Sequence, residues 1–292
     1  MNIAAKCFFI TALLVITGCA SDDKKPQDMT ERELYEDAQA NLEDMRFESA
    51  VKKLQLLEAR FPFGPYAEQA QLEIIYAHLR SLEPEAAIAS AERFIRLHPQ
   101  SPHLDYALYM KGLANYTESE GFFDRFLPTD MTKRDPGSSL KAFEDFRQLL
   151  YQFPDSPYAA DARARMIYLR NRLARYEINI ANYYFKRKAY LAAANRGKFV
   201  VENYSQTPAA ADGLAVMVQA YKLLGLDDLA NSPLQVLASN FPNHPSLNEK
   251  GEFIDKFSLQ EQQGSLINRL SFGLFDRAEP PKFDNRPDYM IR

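Results

Sequence analysis

Prolines in this chain come in closely spaced pairs, and the pairs recur. "FPFGPYAEQA" begins at Phe61, "HPQSPHLDYA" at His98, "FPDSPYAADA" at Phe153, "YSQTPAAADG" at Tyr204 and "FPNHPSLNEK" at Phe241. The second proline of each block is Pro65, Pro102, Pro157, Pro208 or Pro245, at intervals of 37, 55, 51 and 37 residues. A single period of 37, interrupted by insertions of 18 and 14 residues, accounts for the series. Only the fourth block lacks its first proline, which Ser205 replaces. Proline has no N–H and clashes inside a helix, so it follows a helix end. It also fits the first helical turn, where an N–H has no partner. Ser101, Ser156 and Thr207 stand before the second proline, placed to cap the orphan N–H groups with their side chains. Each block therefore predicts a helix stop, a tight turn and a helix start.

The segments between blocks repeat as well. Alanine stands eleven residues before each block, at Ala50, Ala87, Ala142, Ala193 and Ala230. Seven residues later comes a bulky apolar residue: Leu57, Phe94, Leu149, Val200 or Leu237. A small residue follows the second proline by five in four units, at Ala70, Ala107, Ala162 and Gly213, and Lys250 breaks the rule in the fifth. Small residues at fixed places let helices approach, and bulky ones fill the gaps. The pattern is that of stacked helix pairs and resembles the tetratricopeptide repeat, although the period is longer and the chain has no tryptophan. The predicted fold is all-α, an α-α superhelix of five tetratricopeptide-like helix pairs. Few glycines, 11 in 292 residues, and little strand-like alternation agree with it.

The pairs are expected at 30–61, 65–98, 102–153, 157–204 and 208–241, within one repeat domain over 30–245. "TERE" at Thr30–Glu33 is a capping box that opens the first helix. The third pair is interrupted from Thr117 to Ser139 by a Gly-, Pro- and Asp-rich loop. No breaker stands between Pro157 and Tyr190, so the extra residues of the fourth unit lengthen its first helix by about four turns. Residues 246–292 form a tail, expected as a short helix with disorder after it.

At the other end, "MNIAAKCFFITALLVITGCA" has Lys6, then a short apolar run, then Ile16, Thr17, Gly18 and Cys19. The run is too short for a stable membrane span and suits a secretory leader. Its end resembles the bacterial lipobox, which implies cleavage after Gly18 and acylation of the Cys19 thiol. Residues 1–18 are thus read as a lipoprotein signal peptide and 19–29 as a tether. The mature chain keeps one cysteine, acylated, so a disulfide is excluded. Ala20 and Ser21 follow it, rather than an aspartate, which in lipoproteins that the leader resembles favours delivery to the outer membrane.

Reactive constellations are scarce. The four histidines, His78, His98, His103 and His244, have no metal-ligand spacing, and no phosphate loop or nucleophile elbow is present. We expect no enzyme activity, no metal and no cofactor. Two charge blocks stand out: eight acids and two bases over Asp28–Glu48, and ten bases and one acid, Glu177, over Arg163–Lys198. The basic block reads either as a solvated helix face or as a docking surface for an acidic partner. An exported, acidic chain (net charge −4) argues against nucleic acid. Tyr66 and Tyr158 either belong to the repeat core or line a groove.

Taken together, the lipobox, "RFPFGPYAEQAQLEIIYA", "RFIRLHPQSPHLDYALYMKGLANY", the "GFFDRF" and "RDP" insertion and "NRLARYEINIANYYFKRKAYLAAANR" resemble the BamD family over about residues 14–245. The resemblance implies a lipid-anchored scaffold on the periplasmic face of the outer membrane, part of the β-barrel assembly (BAM) complex and a receptor for unfolded outer membrane proteins. It implies three partners: a POTRA domain of the barrel-forming subunit, a small BAM lipoprotein, and the C-terminal β-signal of unfolded clients. It places the POTRA contact at Arg196 and the client pocket at Tyr66, Gln69 and Arg96. Other readings are a different envelope adaptor built from the same repeats, linked to peptidoglycan or cell division, and a solenoid-type cell-wall hydrolase.

Overall fold

A computed structural model describes residues 28–120, 132, 135–255 and 281–284. The leader and Cys19 lie outside the described residues, as do most of the third-pair insertion and much of the tail. Among the described residues there are ten helices: α1 (Glu31–Glu43), α2 (Phe47–Arg60), α3 (Ala67–Arg80), α4 (Pro84–Leu97), α5 (Leu104–Glu120), α6 (Gly137–Gln152), α7 (Ala159–Lys186), α8 (Tyr190–Asn203), α9 (Ala209–Leu223) and α10 (Asp227–Asn240). Strand pairing among these residues is confined to one antiparallel bridge, Leu247 to Phe253. The all-α repeat architecture is thus present. The insertion is shorter than expected, because α5 runs on to Glu120 and α6 starts at Gly137.

The proline blocks share one hydrogen-bond pattern. In all five, the first residue (Phe61, His98, Phe153, Tyr204 or Phe241) donates its N–H to the carbonyl four residues back at 2.8 Å. Its own carbonyl then accepts from the N–H three residues on, at Gly64, Ser101, Ser156, Thr207 or His244. The carbonyls of Gly64, Ser101, Ser156, Thr207 and His244 accept again, from Ala67, Leu104, Ala159, Ala210 and Leu247. Pro65, Pro102 and Pro157 therefore stand in the turn just before the helix, not within its first turn. Ser101 and Ser156 accept from the N–H of His103 and Tyr158, which precede α5 and α7, so they tie the turn; the N-cap of α7 is Tyr158, which makes no side-chain cap bond. Thr207 differs: its hydroxyl donates to the Tyr204 carbonyl and so closes α8 rather than opening α9. In the fifth block the restart is the small bridge at Leu247, not a helix.

Turns inside the pairs use a second device. Met45, Lys188 and Gly225 adopt positive φ, and the next N–H (Arg46, Ala189, Leu226) reaches back five residues, which closes the helix in a Schellman motif. Thr30 and Glu33 form the capping box at α1.

The chain divides between Leu82 and Glu83 into two compact units. In the first, α1, α2 and α3 bury Leu34, Ala38, Leu54, Leu57, Ala70 and Ile74 together. In the second, successive helices from α4 to α10 pack side by side, and α7 also meets α9. One cluster there gathers Leu108, Ala142, Phe146, Leu149, Ala162 and Leu169. Another surrounds Ile178, Phe185, Val200 and Leu237. The five repeat alanines and the five apolar residues that follow them are all buried, and each large one contributes roughly 1.5–3 kcal/mol. α7 has 28 residues, twice the length of α8.

Candidate peptide and partner interface

α3 begins at Ala67, and Tyr66 is its N-cap. The Tyr66 N–H donates to Glu31 Oε1 of α1 at 3.1 Å, which fixes the turn against the neighbouring helix. This places the Tyr66 ring on Tyr35 of α1, stacked with centroids 4.5 Å apart and planes 19° from parallel. Gln69, one turn further on, donates to Glu73 Oε1 at 2.9 Å. The same carboxylate accepts from the Tyr35 hydroxyl at 2.8 Å and from Gln39 Nε2 on its other oxygen. Glu73 thus joins both helices below an aromatic step. Burial, and the hydrogen bond to Glu73, push the Tyr35 phenol well above its ordinary range, so it stays a neutral donor. Tyr35, Gln39 and Glu73 were not among the expected site residues. The i, i+4 spacing of Tyr35 with Gln39 and of Gln69 with Glu73 is their only local trace.

The second unit repeats the arrangement. Tyr158, after Pro157, stacks on Tyr109 of α5 at 4.8 Å and 17°. The Tyr109 hydroxyl donates to Asp161 Oδ2 at 2.8 Å. Arg165 also donates to Asp161 and lies over the Tyr116 ring, 4.8 Å from its centroid. Burial opposes the Asp161 charge, but Arg165 and Tyr109 outweigh it and hold its carboxyl below the usual range. Tyr66 and Tyr158 are therefore half core and half surface: each is packed through one face against a tyrosine of an earlier helix and remains partly exposed. Such a step offers an aromatic face and amide donors.

Of the expected client residues, the structure brings Tyr66 and Gln69 together at the start of α3. Arg96 belongs to the second unit, in the last turn of α4, and is exposed.

The basic block is not one uniform surface. Arg172 and Arg175 are buried. Arg172 donates to the Ser119 carbonyl and Arg175 pairs with Asp284. Arg163, Arg165, Arg170 and Lys198 also have partners in the second unit. Lys186, Arg187 and Lys188 are exposed at the turn from α7 to α8. Arg196, on α8, keeps part of its guanidinium at the surface and donates through Nη1 to Glu177 of α7 at 2.9 Å. The Glu177 hydrogen bond raises the Arg196 pKa further above its already high value.

Of the tail beyond Asp255 only residues 281–284 are described; Pro281 and Phe283 are buried, and Phe283 joins the core of the second unit. Asn182 of α7 holds this segment through its side-chain amide, a signal that no local pattern carries. No helix among the described residues is long and apolar enough to cross a membrane, and none of their His, Cys, Asp and Glu side chains group in threes to hold a metal.

Residues 27–237 match the family described as YfiO, outer membrane lipoprotein. Outer membrane protein assembly factor BamD of Neisseria gonorrhoeae is 40% identical over 240 residues, which covers 80% of this chain and 90% of that protein. The protein of the same name from Vibrio cholerae is 38% identical over 231 residues, 79% and 96% of the two chains. That of Haemophilus influenzae is 35% identical over 255 residues, 84% and 97%.

Proposed function

Because the chain belongs to the YfiO family of outer membrane lipoproteins, with BamD assembly factors among its relatives, we propose that it is a non-enzymatic scaffold and receptor in outer membrane protein assembly. In this reading Cys19 carries the lipid that holds the chain at the periplasmic face of the outer membrane. The repeat domain, 30–245, presents binding surfaces. It works within the BAM complex, where Arg196 docks a POTRA domain of the barrel-forming subunit and a small BAM lipoprotein binds alongside. Unfolded clients engage Tyr66, Gln69 and Arg96 through their C-terminal β-signal.

The observation that carries the receptor role is the Tyr35–Tyr66 step with Gln69 and Glu73 beside it. An extended peptide ending in an aromatic residue needs an aromatic face and polar groups for its backbone, and this step supplies both. The surroundings favour binding over chemistry, because every polar group in the step is neutral or held by a hydrogen bond. Fluorescence anisotropy with a labelled barrel C-terminal peptide tests it. Tyr66→Ala is expected to weaken binding by about threefold to tenfold, the worth of an aromatic pair at about 0.5–1.5 kcal/mol. Tyr66→Phe, which keeps the stack, should bind like the wild type. Equal affinity of Tyr66→Ala and wild type would remove the step from the client site.

A further inference from the structure

α7 carries a polar stripe, three members of which bond to chain outside the helices. Arg172, Arg175, Asn179 and Asn182 follow one another at intervals of three, four and three residues, which puts them on one face. Arg172 meets α5, whereas Arg175, Asn179 and Asn182 bond to described residues outside the ten helices. Arg172 donates to the backbone carbonyl of Ser119, near the end of α5. Asn179 donates to the hydroxyl of Thr132 at 2.6 Å, and to its carbonyl at 3.3 Å. Asn182 and Arg175 hold the tail.

The tail contact has the form of peptide recognition. Asn182 Nδ2 donates to the Phe283 carbonyl at 2.8 Å, and the Phe283 N–H donates back to Asn182 Oδ1 at 2.9 Å. An amide side chain that pairs with both backbone groups of one residue reads an extended backbone whatever its sequence. Selectivity comes from the two side chains beside it. Phe283 is 2% exposed, and its ring lies 5.6 Å from that of Phe185. It joins the cluster of Ile178, Ala181 and Phe185. Asp284 pairs with Arg175, both nearly fully buried.

We propose that this face of α7 is a peptide-binding site for an aromatic–carboxylate segment whose backbone turns at the carboxylate residue, and that residues 281–284, with Asp284 at positive φ, are its tethered occupant. The ligand class is a chain with Phe followed by Asp or Glu, which the reciprocal amide, the Phe185 pocket and the Arg175 guanidinium each match in one group. A free peptide of this kind has to displace the tail. The proposal goes beyond the assembly role and does not depend on it.

Competition tests it on the full-length chain. A fluorescein-labelled peptide with the sequence of residues 279–286, EPPKFDNR, is titrated into wild type and into F283A/D284A. An intramolecular ligand competes at an effective concentration on the order of millimolar. Emptying the site should therefore tighten peptide binding by about tenfold or more. Adding Asn182→Ala to F283A/D284A should weaken it again by about tenfold. Circular dichroism establishes that each variant is folded. Folded F283A/D284A that binds the peptide no better than wild type overturns the proposal, as does binding indifferent to Asn182→Ala. If F283A/D284A fails to fold, Asp284→Asn decides: it keeps the volume and removes the ion pair, so tighter peptide binding supports the site and unchanged binding overturns it.

Discussion

At the scale of single residues, charge in this protein is governed by burial. Asp145 of α6 is buried and accepts from Asn115, while Lys111 bridges it to Glu92. Burial lifts the Asp145 carboxyl above its usual range, and Lys111 and Asn115 only partly offset this. Burial also works against the charge on Lys111, but Asp145 and Glu92 overcome it and raise its pKa. The sign of the pH dependence follows. The folded state holds the Asp145 proton after the unfolded chain has lost its own, near pH 3.9. The contribution of Asp145 is therefore fully present below that pH and is lost as pH rises through the folded value. Unfolding free energies of wild type and Asp145→Asn, measured across that acid range, should shift in favour of the variant as pH rises. A difference that stays flat contradicts a raised Asp145. Nothing in the local sequence marks this group, because Lys111, Asn115 and Asp145 meet only once α5 and α6 pack.

At the scale of elements, the stack depends on small residues where helices approach. Gly197 of α8 faces Gly213 of α9 so closely that a Cβ on Gly197 would stand 2.6 Å from the Gly213 carbonyl oxygen. It would also meet Val216 and Met217 side chains. A backbone carbonyl inside a helix cannot step aside, so Gly197→Ala should force the two helices apart. The expected cost is about 1–3 kcal/mol, the range for overpacking a close-packed core, read from urea unfolding. A loss below about 0.5 kcal/mol, no more than an ordinary surface substitution, would show that the contact is slack. Gly213 was legible as the small residue of the fourth interval, whereas Gly197 was not, because only the folded pair of helices shows that they touch. The proline blocks, the repeat alanines, the capping box and the long α7 were legible for the opposite reason. Each is written in local chemistry: a missing N–H, a small side chain, a side-chain oxygen, or the absence of a breaker. The positive φ at Met45 and Lys188 was not legible, because glycine is its usual sign and neither residue is one.

At the scale of the whole molecule, what sequence could not foresee is long in range. Glu73 meets Tyr35 across 38 residues, and Phe283 meets Asn182 across 101. Local patterns assign helices and turns, but partners this distant in sequence are chosen by packing. The basic block shows the same limit. Charge counting offered a solvated face or a docking surface, yet Arg172 turned inward to α5 and Arg175 to the tail segment. Arg196 is partly exposed, with Glu177 beside it. Reversing it puts two carboxylates together on α7 and α8, so the effect on partners has to be separated from the effect on the fold. Glu177→Gln, which removes the neighbour's charge and leaves Arg196 in place, is the control. Full-length chain immobilised on resin and exposed to a detergent extract of outer membranes tests the central claim most directly. The account predicts that wild type and Glu177→Gln recover a barrel-forming protein with POTRA domains, and that folded Arg196→Glu recovers about a tenth as much or less, a loss of about 1.4 kcal/mol. Recovery of only peptidoglycan-linked proteins by the wild type would contradict it.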